Sequence, residues 1–138
     1  MITEDYVSYE TAKLLKEKGF DETCRAFWKK WNGEINLCDC NPSHTFEYCH
    51  NTMLENYNDD EELNIAAPTL QMAMKWLRKV HHIFIDITFR FSRNADNDIN
   101  FSYYAEKYEN YYGYGDGEFN SYEEACESAI KYCLENLI

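Results

Sequence analysis

A helical pattern runs directly into a strand pattern between Pro68 and Phe91, and this junction constrains the fold more than any other feature. Apolar residues recur at helical spacing as far as Val80. From Ile83 onward, every odd-numbered position up to Phe91 is Ile or Phe. A period of 3.6 residues that becomes a period of 2 predicts a helix that folds back onto the sheet it precedes. The segment therefore predicts an α+β fold.

Two further helices and two hairpins complete the predicted fold. Ser8 is the expected N-cap of a first helix that Gly19 ends, and Ser121 with Glu124 forms the capping box of a last helix. Asn32–Gly33 lies between two strand-like runs and predicts a hairpin, because a type I′ turn needs positive φ twice. We expect the order α-ββ-α-ββ-α, with an antiparallel sheet of about four strands and three helices packed on one face.

The length and the start of the chain indicate one cytoplasmic domain. A chain of 138 residues fits a single domain, residues 1–138. Met1–Asp5 lacks the basic and apolar regions of a signal peptide. No run approaches the roughly 20 apolar residues that span a bilayer. We therefore expect a cytoplasmic protein that does not bind membranes and whose six cysteines are reduced.

The chain is strongly acidic, and its charge is unevenly distributed. The net charge is -12. Residues 31–65 hold eight acids and no base, and residues 94–138 hold ten acids and two bases. Residues 66–93 hold five bases and one acid. Because an acidic protein repels phosphate backbones, direct binding to nucleic acid is not expected.

Cysteines and histidines concentrate in one short stretch. Cys38, Cys40, His44, Cys49 and His50 lie within thirteen positions. Zinc needs four nitrogen or sulfur ligands in a tetrahedron, so the atoms for a site are present. Cys-x-Cys followed by Cys-His is not the usual ligand spacing, however. We predict no metal and no cofactor, and Cys38, Cys40, Cys49 and His50 are the candidate ligands if one binds.

No pattern in the chain predicts a catalytic residue. His82 and Asp86 could form a general-base pair, but residues four apart on a strand lie about 13 Å apart along it. Gly113–Gly117 resembles a phosphate-binding loop without its Lys, and Asp116 would repel phosphate. We interpret this glycine segment as a connecting loop.

Tyrosines crowd one predicted strand and the segment that follows it. Tyr is enriched at protein interfaces because it combines an apolar ring with a polar tip. The alternative is the ordinary preference of Tyr for strands. The candidate interaction residues are Tyr104, Tyr108, Tyr111, Tyr112 and Tyr114.

Three segments together resemble a known group of proteins. They are YVSYETAKLLKEKGFDE at residues 6–22, APTLQMAMKWLR at residues 67–78 and SYEEACESAIKYCLENL at residues 121–137. The set resembles a family of small acidic proteins common in gut Bacteroides genomes and often associated with prophages or mobile elements. This resemblance implies an origin rather than an activity, and it supplies no catalytic residues.

The sequence therefore leaves three functional hypotheses. The first is a non-enzymatic module that binds another protein or a second copy of itself. The second is an acidic mimic of nucleic acid that inhibits a DNA- or RNA-binding protein, which the two acidic segments favour. The third is a metal-dependent enzyme that uses the Cys38–His50 stretch.

Overall fold

The computed structural model describes residues 1–41, 47–54, 62–91, 99–109 and 113–138. The chain divides into two compact units, Met1–Thr69 and Leu70–Ile138. Each unit combines helix with a three-stranded antiparallel sheet. The α+β class, the three helices and the antiparallel pairing are thereby confirmed. A single domain over residues 1–138 stays a prediction.

The first unit begins with helix α1 (Tyr9–Glu17), which has the predicted caps. The Ser8 hydroxyl accepts a hydrogen bond from the Thr11 backbone N–H at 3.2 Å. This bond satisfies one of the free donors of the first helical turn. Gly19 follows the helix with φ of 91°. The chain then turns back, and the Phe20 N–H donates to a carbonyl of the last turn at 2.9 Å.

Three strands form the first sheet, and they are β1 (Ala26–Trp31), β2 (Glu34–Asp39) and β3 (Glu62–Ala66). They lie in the order β2-β1-β3. Asn32 and Gly33 make the turn between β1 and β2 with φ of 49° and 79°, as the Asn-Gly pair predicts. The Trp28 ring N–H donates to the Val7 carbonyl at 2.9 Å. This bond ties the segment before α1 to β1.

The second unit contains helix α2 (Leu70–His81), strands β4 (Ile83–Phe91), β5 (Ile99–Lys107) and β6 (Gly113–Phe119), and helix α3 (Tyr122–Asn136). Only His82 separates α2 from β4, and its φ of 56° allows the abrupt turn. The change of periodicity in the sequence therefore marks a true junction between helix and strand. The strands lie in the order β4-β5-β6, and both pairings are antiparallel.

Helix α3 forms much of the core of the second unit. It packs against all three strands, and α2 packs against β4 and α3. The Glu124 N–H donates to the Ser121 hydroxyl at 3.1 Å, which confirms the predicted cap. The buried residues of α3 are Ala125, Cys126, Ala129, Ile130, Cys133 and Leu134. In the described part of the chain, no helix combines the length and the apolar character needed to cross a bilayer.

The prediction of one sheet with about four strands and three helices on one face is wrong. The described residues form six strands in two sheets, in the order α-βββ-α-βββ-α. Helix α1 packs on the first sheet, whereas α2 and α3 pack on the second. The sequence pattern missed β6 because its three glycines have low strand propensity. It missed β3 because this short strand follows directly on an acidic run.

Candidate functional site

The second sheet has an exposed apolar surface at the end where β4 finishes and β5 begins. Phe89 and Phe91 on β4 and Ile99 on β5 are 59%, 68% and 42% exposed. The two Phe residues share a sheet face with the buried Ile83, and Phe91 lies opposite Ile99. The two Phe rings meet edge to face with centroids 5.4 Å apart. We call Phe89, Phe91 and Ile99 the aromatic end.

The aromatic end is exposed because α3 does not reach it. The first residue of α3, Tyr122, packs edge to face on Phe101 with centroids 6.4 Å apart. Phe101 lies opposite Phe89, and the aromatic end extends from this contact toward Phe91. The alternation in the sequence thus predicts the correct face of β4. It does not predict how far the helices extend along that face, because periodicity carries no information on the neighbouring layer.

Strand β4 lies at one edge of its sheet, and no described strand pairs with its outer side. The Tyr108 N–H donates to the His82 carbonyl at 2.8 Å, so these two residues form a hydrogen-bonded pair. Hydrogen-bonded and non-hydrogen-bonded pairs alternate along an antiparallel ladder. The even-numbered residues of β4 therefore bond to β5. The odd-numbered residues, from Ile83 to Phe91, direct their N–H and C=O groups away from the sheet.

The tyrosines predicted to bind a partner do not form one surface. Tyr114 lies opposite the buried Ala105, on the face that α3 covers, and stacks on Tyr132 with centroids 4.1 Å apart. Tyr104 lies opposite Gly115 and points to the other face, because neighbouring strand residues alternate. The remaining three candidates are placed differently. Tyr108 follows β5 and is 69% exposed, whereas Tyr111 and Tyr112 lie outside the described residues. A role in binding stays a prediction for all five.

Tyrosine side chains also contribute to the interior of the second unit. Tyr103 is buried and stacks on Phe119 with centroids 5.8 Å apart. Burial raises the pKa of the Tyr103 hydroxyl, and the nearby Tyr114 raises it further. Part of the tyrosine crowding in the sequence therefore serves packing between β5, β6 and α3.

The Tyr104 ring occupies space that the glycines of β6 leave open. A Cβ atom built on Gly113 would overlap this ring and would lie 2.7 Å from its Cε2 atom. An aromatic side chain that covers a glycine on a neighbouring strand compensates for the missing side chain. The glycines that suggested a loop therefore belong to a strand that accommodates Tyr104.

An open groove of about 570 Å³ lies across β4, β5 and β6 and includes Gly115 and Gly117 in its lining. The hydroxyls of Thr88 and Ser102 face it and bond to each other at 2.6 Å. Among the described residues that line the groove, no nucleophile is hydrogen-bonded to a base. The groove offers polar contacts but no assembled catalytic group.

The candidate metal ligands are divided between separate places. The Cys40 thiol donates to the Cys24 carbonyl at 3.9 Å, and the Cys49 thiol donates to the Ala26 carbonyl at 3.3 Å. His50 instead bonds through Nδ1 to the Asp21 carboxylate at 3.2 Å. The Cys38 thiol lies 3.9 Å from the Asn36 carbonyl of its own strand. Within the described ranges, no group of three His, Cys, Asp or Glu residues has the arrangement of a metal site.

A third cysteine, Cys24, lies beside both Cys40 and Cys49. Cys24 and Cys49 exchange backbone hydrogen bonds of 2.7 and 2.9 Å in an isolated bridge. Burial raises the pKa of Cys24 to about 12 and raises the pKa of Cys49 as well. Because the thiolate is the reactive form of cysteine, these thiols are poor nucleophiles at neutral pH.

Comparison with known protein families, curated proteins and solved structures finds no match to this chain. The resemblance to a Bacteroides family stays a prediction.

Proposed function

We propose that this protein is a non-enzymatic interaction module that binds an extended segment of a protein along the outer edge of β4. The aromatic end anchors that segment. One observation carries the proposal: exposed Phe89 and Phe91 stand beside a sheet edge whose backbone groups point away from the sheet.

The exposed Phe pair supplies a driving force for binding. Single exposed apolar residues are ordinary on protein surfaces, whereas clusters of them are typical of interaction sites. Phe89, Phe91 and Ile99 form such a cluster, because the two rings touch and Ile99 lies directly opposite Phe91. Full burial of one Phe side chain contributes about 1.5–3 kcal/mol. A partner that covers the aromatic end therefore gains a substantial part of its affinity there.

The backbone of β4 supports binding of an extended segment in particular. In strand addition, main-chain hydrogen bonds give affinity and alternate side chains give specificity. Proteins commonly protect edges with short strands, proline or several charges. Strand β4 has nine residues, no proline and two charged residues, Asp86 and Arg90. Its edge is therefore open to pairing.

The proposal can be tested with a displayed library of nine-residue peptides. Enriched peptides should alternate apolar and polar residues, and their affinity is then measured by fluorescence polarisation. Phe89→Ser and Phe91→Ser should each raise Kd at least about tenfold, because about 1.4 kcal/mol corresponds to a factor of ten. Unchanged urea midpoints would show that these exposed substitutions leave the fold intact.

Tyr108→Ser is the matched control, because Tyr108 is equally exposed but lies at the other end of β5. Its Kd should equal that of the wild-type chain. Loss of binding in Tyr108→Ser with normal binding in both Phe variants would contradict the proposal and favour a contact at Tyr108. Enrichment of no alternating peptide by a chain that is monomeric would also contradict it. Nucleic-acid mimicry and metal-dependent catalysis stay alternative hypotheses, and neither gains a specific observation from the described residues.

A further inference from the structure

We infer that the segment which fills the outer edge of β4 is the β4 strand of a second copy of this chain. Two such chains would form one continuous six-stranded antiparallel sheet from their second units. This inference rests on the proposed function, because it names the occupant of the same edge. It follows from the order of charged and apolar residues along β4.

The charges of β4 are self-complementary in one register. When the two-fold axis passes through Thr88, Asp86 lies opposite the partner's Arg90, and Arg90 lies opposite the partner's Asp86. These even-numbered residues occupy non-hydrogen-bonded positions of the new ladder, where facing side chains are closest. The dimer therefore gains two ion pairs on one face of the sheet. Opposite charges at facing positions stabilise strand pairing.

The same register also pairs the apolar face. Ile85 lies opposite the partner's Phe91, and Ile87 lies opposite the partner's Phe89. Each pair occurs twice by symmetry, and pairs of an aromatic with a β-branched residue are among those that stabilise sheets. Residues 85, 87, 89 and 91 are the ones that direct backbone groups outward, so they supply the hydrogen bonds of the ladder. The pairing also extends the apolar layer around both aromatic ends.

Other registers form fewer of these ion pairs and apolar pairs. With the axis through Ile87, Asp86 faces the partner's Thr88 and Arg90 faces the partner's Phe84, so both ion pairs are lost. A slip by one residue places the apolar face of one strand beside the polar face of the other. Side-chain chemistry therefore selects the register centred on Thr88.

The charge distribution of a single chain supports this arrangement. Asp86 lies opposite Tyr104, and Arg90 lies opposite Asn100, so neither faces a charge on β5. Among the described residues, neither side chain forms an ion pair within its own chain. Strand β4 belongs to residues 66–93, the one basic stretch of a chain with a net charge of -12. Pairing at β4 thus keeps the acidic segments out of the new ladder.

A charge swap tests both the partner and the register. Sedimentation equilibrium should show that the wild-type chain dimerises as concentration rises. D86R and R90D each replace two ion pairs by two like-charge pairs, so each should weaken dimerisation about tenfold or more. The double variant D86R/R90D restores opposite charges across the axis. It should dimerise within about threefold of the wild-type chain, because both ion pairs form again with their charges exchanged. The tenfold loss in the single variants corresponds to about 1.4 kcal/mol. Urea midpoints close to that of the wild-type chain would confirm that all three variants fold.

A cross-link provides a second measurement at the two-fold axis. The two copies of residue 88 face each other at a non-hydrogen-bonded position, so T88C should form an intermolecular disulfide with oxidised glutathione. The matched control is S102C, because Ser102 lies opposite Thr88 on the central strand. S102C should cross-link no more than the wild-type chain.

Different failures separate this inference from the proposed function. A wild-type chain that stays monomeric while alternating peptides still bind would overturn the second copy as occupant and leave the proposed function standing. A dimer that D86R/R90D fails to restore would overturn the register. Absence of both dimer and peptide binding would overturn both proposals.

Discussion

Substitution of Gly113 by Ala would test whether Tyr104 is committed to packing on β6 or is available to a partner. The added Cβ would overlap the Tyr104 ring, and its distance to Cε2 would be 2.7 Å. Gly113 lies in strand β6, and an extended backbone tolerates Ala. The overlapping atoms belong to the far end of a side chain that can rotate. The cost of the substitution is therefore limited to the packing that Tyr104 loses when it swings away.

The size of this cost follows from the area of the ring. Tyr104 is 45% exposed, so part of its ring is covered. If roughly 60 Å² of ring lies on β6, its burial contributes about 1.5 kcal/mol at about 25 cal/mol per Å². Ala regains about 0.5 kcal/mol over Gly within a strand, so Gly113→Ala should lower the free energy of unfolding by about 1 kcal/mol. Tyr104→Ala should lower it by about 1.5 kcal/mol.

The double variant distinguishes a shared contact from two separate effects. Once Tyr104 is Ala, the added methyl group displaces nothing, so the double variant should lose about 1 kcal/mol instead of the summed value of about 2.5 kcal/mol. Urea unfolding followed by far-UV circular dichroism measures all four free energies. Gly117→Ala is the control, because its Cβ would meet Ser102 at 3.3 Å and not Tyr104. Losses for Gly113 and Tyr104 that add within about 0.5 kcal/mol would refute the packing argument.

Two further predictions concern titratable groups in the first and second units. Hydrogen bonds from the Thr52 side chain and backbone lower the pKa of Asp21 from its ordinary value of 3.8. A carboxylate with a depressed pKa stabilises the fold above its unfolded pKa and loses this effect as pH falls through the folded pKa. Asp21→Asn should therefore flatten the fall of the urea midpoint below about pH 4, and an unchanged slope would contradict this. Burial raises the pKa of Cys133 to about 12 and that of Cys126 to about 11, so native chains treated with iodoacetamide at about pH 8 should be labelled at the half-exposed Cys38 first. Mass spectrometry that finds equal labelling of all three before unfolding would count against this order.

Local signals with one physical cause predicted their structures well. Asn32 and Gly33 form the expected turn because few residue pairs tolerate two positive φ angles. Ser8 and Ser121 cap α1 and α3 as the sequence predicts, because free N–H groups at a helix start need an acceptor. Each of these features depends on residues within a few positions of each other, so the sequence contains the whole argument.

Features that depend on distant residues could not be predicted in the same way. Strand β6 has three glycines, and the reason it is a strand lies partly in Tyr104 on the neighbouring strand. Phe89 and Phe91 have the right alternation, but their exposure depends on where α3 begins relative to the sheet. The candidates Tyr104 and Tyr114 are separated for a simpler reason. Tyr114 packs on the same side of the sheet as Tyr103, and the neighbours Tyr103 and Tyr104 on β5 point to opposite faces.

The order of strands in each sheet has a consequence for how the chain acquires its fold. The nearest pair that joins β4 to β5 is Phe91 with Ile99, whereas the nearest pair that joins β1 to β3 is Trp31 with Glu62. Closing a loop about four times longer costs roughly 1 kcal/mol more in chain entropy, and non-local pairing slows folding. During synthesis β3 can therefore pair with β1 only after residues 62–66 have left the ribosome. Until then one side of β1 has no neighbour, and the nascent chain is exposed to mispairing at that strand.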